Sequence, residues 1–350
     1  RTIKETVLAS REDLTIITNL LETHFIAGAK DTYEELTTVL ENDDFWDDEK
    51  FFEAKIDEQN KRYHSFRDTV YSLEPDVKNS PGGLRDLHIM QWLAIKIYHA
   101  HCNADLCEVG LLTKSEYEEY LACRDFLWDV RFAVHCNSNS NILRLDFQKA
   151  VASLLGYGDE GNEPVESMMR DLFRIFNRVR ELNNILLQQV ALNIKGYVGP
   201  NYEEPIFLTN SFVQKGEYID VIDHELFKND PHKILDLFLT IGSHSDIKKI
   251  HVNCLRALRE GRRELSDYLI TNETCRKKFR ALLQNIDRSP IVFSLLHETR
   301  VLSSYFPQWA KIEGLAQFDR FHLFSVDEHS VRVIKNIYNL AHNKEPIYQL

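Results

Sequence analysis

At 350 residues the chain is long enough for two or three domains, and its 43% hydrophobic and 27% charged residues are the composition of a protein that buries ordinary cores. A formal net charge of -12 excludes a protein built to hold a nucleic-acid backbone, which needs a clustered basic excess, and favours a small nucleotide or a protein as partner. Six cysteines (Cys102, Cys107, Cys123, Cys136, Cys254, Cys275) without a CxxC pair predict reduced thiols in a cytoplasmic protein, and no apolar run is long enough to span a bilayer.

The first residues, Arg1-Thr2-Ile3-Lys4-Glu5-Thr6, lack the apolar centre of a secretory signal, and without an initiating Met the chain is expected to be a piece of a longer one. Thr2 is placed to cap a short amphipathic helix through Leu8. The next stretch, Asp13 to Gly28, is rich in β-branched and apolar residues, and its second half is predicted to be a strand ending at Gly28. With a side-chain period of two, Leu20, Glu22, His24 and Ile26 share one face of that strand. Burying an unpaired carboxylate is costly, so Glu22 needs a partner, a metal or open solvent; the pattern leaves open an edge strand with Glu22 in water.

Asp31-Thr32-Tyr33-Glu34 resembles a capping box, with Leu36, Val39 and Leu40 as the stripe of the helix it opens. The acidic run Glu41 to Glu49 fits no calcium-loop spacing and reads as a solvated connection. A polar helix through Arg62 and His64 leads to the phrase Glu74-Pro75-Asp76-Val77-Lys78-Asn79-Ser80-Pro81-Gly82-Gly83-Leu84-Arg85-Asp86. Gly82 and Gly83 permit torsions and close approaches that a Cβ would block, so Arg85 and Asp86 are presented at a tight strand-to-helix corner. By chemistry alone the two are either an exposed ion pair or a polar site in which the planar Arg85 guanidinium meets phosphate oxygens and Asp86 supports it.

From Leu87 the period is helical through Met90, Leu93, Ala94 and Ile97. His99, His101, Cys102 and Cys107 match no zinc template. Thr113-Lys114-Ser115-Glu116 opens another helix, and Met168, Leu172, Ile175, Val179, Leu182 and Leu186 stripe a long one. Residues 212–219 read as a β-hairpin with Gly216 in its turn, after which helices resume from Pro231. Ser289-Pro290 begins a helical pair ending near Pro307. In the last helix Val333, Ile334 and Ile337 form the expected buried stripe, while His329, Arg332 and Asn336 share a polar edge.

The phrase at 74–86 and a second, Phe321-His322-Leu323-Phe324-Ser325-Val326-Asp327-Glu328-His329-Ser330, resemble in order and spacing two signatures of the bifunctional uridylyltransferase/uridylyl-removing enzymes. Leu155-Gly156-Tyr157 and Val165 to Arg170 are similar to that family's middle region. The resemblance implies an α+β, predominantly helical chain. Residues 1–86 would be the C-terminal part of a polymerase-β-like nucleotidyltransferase sheet domain, 87–300 a helical domain, and 301–350 the opening of an HD phosphohydrolase domain. It implies that Glu22 is a catalytic, metal-binding carboxylate for Mg²⁺ (or Mn²⁺), and that Asp86 is catalytic. Arg85, Gly82 and Gly83 would bind phosphate, and His329 would be the first metal ligand of the HD site.

His24 departs from the family, where an arginine is usual. The family's Asp-x-Asp pair would precede Arg1 and its His-Asp pair would follow Leu350, so the piece alone is expected to be inactive. The implied reaction moves UMP from UTP to a tyrosine of the PII signal protein and later hydrolyses it off, with neither nucleic acid nor membrane involved. The alternatives are a related nucleotidyltransferase with another substrate, or a helical protein-binding module. The transferase reading places Glu22 and Arg85 on a common cleft of one small sheet.

Overall fold

Local capping sets the start of the chain. In the computed structural model, which describes residues 2–40, 46–100, 104–194, 204–315 and 324–342, the Thr2 hydroxyl accepts from Glu5 N–H while the Glu5 carboxylate accepts from Thr2 N–H. This reciprocal cap opens the helix Ile3–Glu12, longer than expected. Residues 41–45 of the acidic run, His101 and Cys102, and residues 321–323 of the second phrase lie outside the described residues.

The predicted strand is not formed. Asp13 caps a second helix, Leu14–Leu21, accepting from the Thr15 N–H (2.8 Å) and hydroxyl (2.6 Å). Glu22 is the residue at its C-terminal end, and the backbone runs irregularly from there to Gly28. The β-branched composition is overridden for two reasons. Ile17 is fully buried on the helix's inner face, and the Thr18 hydroxyl bonds back to the carbonyls of Leu14 and Thr15, so the turn has no polar group left over. Among the described residues the first strand begins at Ile206, and before it there are only isolated bridge pairings.

The chain divides into two units that interleave in sequence. One comprises Arg1–Val70, Asp76–Ile142 and Arg178–Tyr197; the other comprises Tyr71–Pro75, Leu143–Asn177 and Val198–Leu350. In the first, the helices Asp48–Ser65, Leu84–Tyr98 and Lys114–His135 bury Phe51, Leu87, Met90, Leu93, Leu127 and Val130. The capping box expected at Thr113 and Glu116 is formed.

The second unit carries the sheet. β1 (Ile206–Phe207), β2 (Phe212–Lys215) and β3 (Tyr218–Val221) are antiparallel, and β4 (Lys249–Ile250) joins β3 in parallel. The expected hairpin is therefore β2–β3, with Gly216 at φ 58° in its turn. Phe212 and Ile219 extend into a helical core that includes Phe227, Leu237, Phe238 and Leu296. The described residues are mostly helical with one small mixed sheet, an α+β chain.

Two helical expectations change. Pro307 does not end the helical pair but opens a further helix, Pro307–Ile312, its missing N–H being no loss in a first turn. In the helix Val326–His342 the expected buried stripe of Val333, Ile334 and Ile337 holds only at Ile334. Asp327 and Val331 are inside and Ile334 is half-buried, whereas Val333 is 40% and Ile337 61% exposed. The helix packs on Ser289–Glu298 through the row 327, 331 and 334, one step around from the row that hydropathy selected.

Candidate functional site

The corner before the helix Leu84–Tyr98 is held by its own loop. The Asp76 carboxylate accepts from the N–H of Lys78 (2.9 Å) and Asn79 (2.8 Å), and the first helical N–H groups, Leu84 and Arg85, donate to the carbonyls of Val77 and Lys78. Both glycines are required there. Gly82 has φ 79°, and a Cβ on Gly83 would stand 2.8 to 2.9 Å from the carbonyl oxygens of Val77, Lys78 and Ser80.

Asp86 lies in the first helical turn and is fully buried. One carboxylate oxygen accepts from Gly82 N–H (2.6 Å) and the Tyr63 hydroxyl (2.5 Å), and the other from Arg62, whose second nitrogen donates to the Asn79 carbonyl (2.9 Å). Burial, and then the neighbouring Asp86 charge, push the Tyr63 phenol well above its usual range, so it stays a donor. Both Asp86 oxygens are thus taken up inside the fold, tying the helix start to the preceding helix.

Arg85 points to a different environment. Its guanidinium lies over the ring of Trp92, 5.3 Å from the centroid, two turns along the same helix. The Lys55 ammonium sits 4.4 Å from the same ring, and the indole N–H donates to the Glu22 carboxylate at 2.6 Å. Glu22 and Arg85 therefore meet at one side chain, but that side chain is Trp92 on a helix and not the expected sheet.

Three basic residues that sequence reasoning passed over complete the site. Burial, and then the charges of Arg85, Lys78 and Arg131, push the His88 imidazole down to about 4, so it is neutral at neutral pH. Lys78 is likewise lowered by burial, then by Arg85 and Arg131. Such mutual repulsion marks Lys78, Arg85 and Arg131 as a cationic cluster suited to an oxyanion with several charges. His88 and Trp92 fall three and seven residues after Arg85 and were legible as its helical neighbours. Arg131, from another helix, had no such signal.

Metal chemistry finds less support in these residues. Among the described residues no group of three or more His, Cys, Asp and Glu side chains could hold a metal ion. Glu22 is engaged by Trp92 and Asp86 by its four-membered network, so the described residues do not make up a Mg²⁺ site by themselves.

Residues 50–187 match the family described as GlnD PII-uridylyltransferase. Residues 212–305 match the GlnD uridylyltransferase third domain. The chain belongs to the GlnD uridylyltransferase family. The bifunctional uridylyltransferase/uridylyl-removing enzyme of Vibrio atlanticus is 41% identical over 99% of the chain, and those of Vibrio vulnificus and Photobacterium profundum are each 40% identical over the same share. The chain spans 40% of the length of each of these relatives. No solved structure matches it.

The matched GlnD segment 50–187 contains the cationic cluster of Lys78, Arg85 and Arg131 whole, with the neutral His88 beside it. Glu22 lies before that segment and His329 after both. His329 is exposed on the helix Val326–His342. No helix among the described residues is long and apolar enough to cross a membrane.

Proposed function

We propose that this chain works within a GlnD-type enzyme that moves UMP from UTP to a tyrosine of PII and removes it by hydrolysis, in the cytoplasm and without nucleic acid. In the transfer, the tyrosine oxygen bonds to the α-phosphorus, the bond to the β-phosphate oxygen breaks and pyrophosphate leaves. In removal, water attacks the same phosphorus, the bond to the tyrosine oxygen breaks with that oxygen taking a proton, and UMP is released. The observation that carries the reading is that Lys78 and Arg85 of the Gly82-Gly83 corner, together with Arg131, act on one neighbourhood, their charges adding to burial in lowering Lys78 and His88. Their role in this proposal is to hold and neutralise the triphosphate, with Gly82 and Gly83 letting the backbone come close.

Asp86 acts in this proposal as a positioning residue through Arg62 and Tyr63. The Mg²⁺ or Mn²⁺ ions of the family would take Glu22 as one carboxylate. His329 is proposed as one ligand at the opening of an HD hydrolase domain over residues 301–350. Residues 1–86 and 87–300 are proposed as the nucleotidyltransferase part and the helical domain.

Titration with UTP followed by Trp92 fluorescence tests the cluster, since Arg85 lies over that ring. The expected result is saturable binding weakened at least tenfold in Arg85→Gln and in Arg131→Gln. Undiminished UTP binding in both variants would remove the triphosphate assignment.

A further inference from the structure

The second unit holds a cavity of about 90 Å³ whose polar lining is Tyr71, Arg170, Arg174, Asn177, Arg300 and Glu313. Three guanidinium groups around so small a space repel one another and call for a counter-charge. Two of the three have protein carboxylates. Arg174 pairs with Asp171 at 2.9 Å and Arg300 with Glu313 at 3.2 Å, the latter carboxylate also accepting from the Ser303 hydroxyl. Arg170 is different: its Nε is buried and has no hydrogen-bond acceptor among the described residues.

A buried guanidinium N–H without an acceptor costs on the order of 1 to 3 kcal/mol, a cost that an oxygen brought into the cavity would remove. Asn177 and Tyr71 furnish neutral polar groups on the same wall, joined by a 2.6 Å hydrogen bond from the amide to the phenol oxygen. Burial, and then the charges of Asp327 and Glu313, raise the Tyr71 phenol well above its usual range, which keeps it protonated. The cavity falls well short of the roughly 300 Å³ and upward of sites that enclose drug-sized ligands, so a nucleoside does not fit, while a compact tetrahedral anion does.

We infer that this cavity is a phosphate-class oxyanion site, with Arg170 as its principal donor and Arg174 and Arg300 as flanking charges. It lies wholly within the second unit and shares no residue with the Lys78, Arg85 and Arg131 cluster. The ligand is either free phosphate or pyrophosphate, or the terminal phosphate of a small ester. Arg170 closes the phrase Val165-Glu166-Ser167-Met168-Met169-Arg170, which the transferase reading leaves without a task.

The test measures thermal unfolding of the full chain against inorganic phosphate, pyrophosphate and ribose 5-phosphate, with potassium chloride at matched ionic strength as reference. Stabilisation beyond the chloride reference is expected with at least one of the three probes, and which one distinguishes the free anion from an ester. Arg170→Gln is expected to weaken that response at least tenfold in probe concentration, whereas Arg85→Gln and Arg131→Gln leave a response of the same midpoint. If Arg170→Gln does not fold, Arg174→Gln, whose side chain is 60% exposed, is read instead with an expected loss of threefold or more. No excess over chloride with any probe overturns the inference. So does an Arg170→Gln or Arg174→Gln response equal to the unsubstituted chain's, or loss of the whole response in Arg85→Gln.

Discussion

Asp86 and Asp327 are both fully buried in the first turn of a helix, yet the two regions treat a carboxylate in opposite ways. Asp86 receives donors from Arg62, Tyr63 and the Gly82 backbone. Asp327 has no well-aligned hydrogen bond on either oxygen among the described residues, its surroundings offering only the Ser325 hydroxyl and the Gly314 and Glu328 N–H groups at poor geometry, and His297 Nε2 stands 3.7 Å away. Burial consequently raises the Asp327 carboxyl, only partly opposed by His297, the Ser325 hydroxyl and the Gly314 and Glu328 N–H groups. Equal burial therefore does not mean equal contribution: a carboxylate stabilises a fold through the donors around it, and one without them is a cost the rest of the core must offset.

The largest expected effect follows from emptying the satisfied site. Asp86→Ala leaves Arg62 with an unpaired buried charge and frees Tyr63 and Gly82 donors, and should cost about 3 to 5 kcal/mol in urea unfolding. A loss under about 1 kcal/mol would show that the corner is held by its backbone alone. Gly83→Ala attacks the same corner sterically, driving a methyl to within 3 Å of three carbonyl oxygens. The expected cost is up to about 3 kcal/mol, with the loop displaced and the Asp86 network loosened.

Asp220 in β3 stands between the extremes. Burial works to raise its carboxyl, but hydrogen bonds and charge from His251 (3.0 Å) and Lys215 (2.7 Å) outweigh this and hold it at about 2. A folded value below the ordinary 3.8 means stability that is fully present above about pH 4 and lost as the pH falls through 2. The shift of nearly two units is worth about 2 kcal/mol, so Asp220→Asn should flatten the stability profile between pH 4 and 2. An unchanged acid limb would show that the pair contributes nothing. The smallest effect belongs to Asp327→Asn, expected within about 1 kcal/mol of the unsubstituted chain or above it at neutral pH, because the donors around it are poorly aligned and fail to offset its burial. A loss as large as that of Asp86→Ala would erase the contrast.

What could be read in advance follows the range of the interactions involved. Thr2 with Glu5 and Thr113 with Glu116 are three residues apart, so their capping boxes were visible as words. Gly82-Gly83 was legible for the same reason, since the carbonyls that exclude a Cβ lie within six residues. Glu22 was misplaced because β-branched Thr15, Ile16, Ile17 and Thr18 favour a strand only weakly, by less than tertiary burial and capping supply. Burial of Ile17 and the Asp13 cap decided for the helix. That Trp92 would join Glu22, Lys55 and Arg85 depended on contacts across 70 residues of chain, which no local pattern encodes.

The final helix shows the division most plainly. Its existence follows from the periodicity of Val326, Val331, Val333, Ile334, Ile337 and Leu340, which the amino-acid order alone determines. Its inward face does not, because apolar residues lie on two adjoining rows. Packing against Ser289–Glu298 decided for the row carrying Asp327 and Val331. Short-range order thus determined caps, turns, helices and the two phrases that mark the family. The pairing of charges and the choice of buried face were decided only when distant helices met, since these energies depend on which surfaces exclude water together.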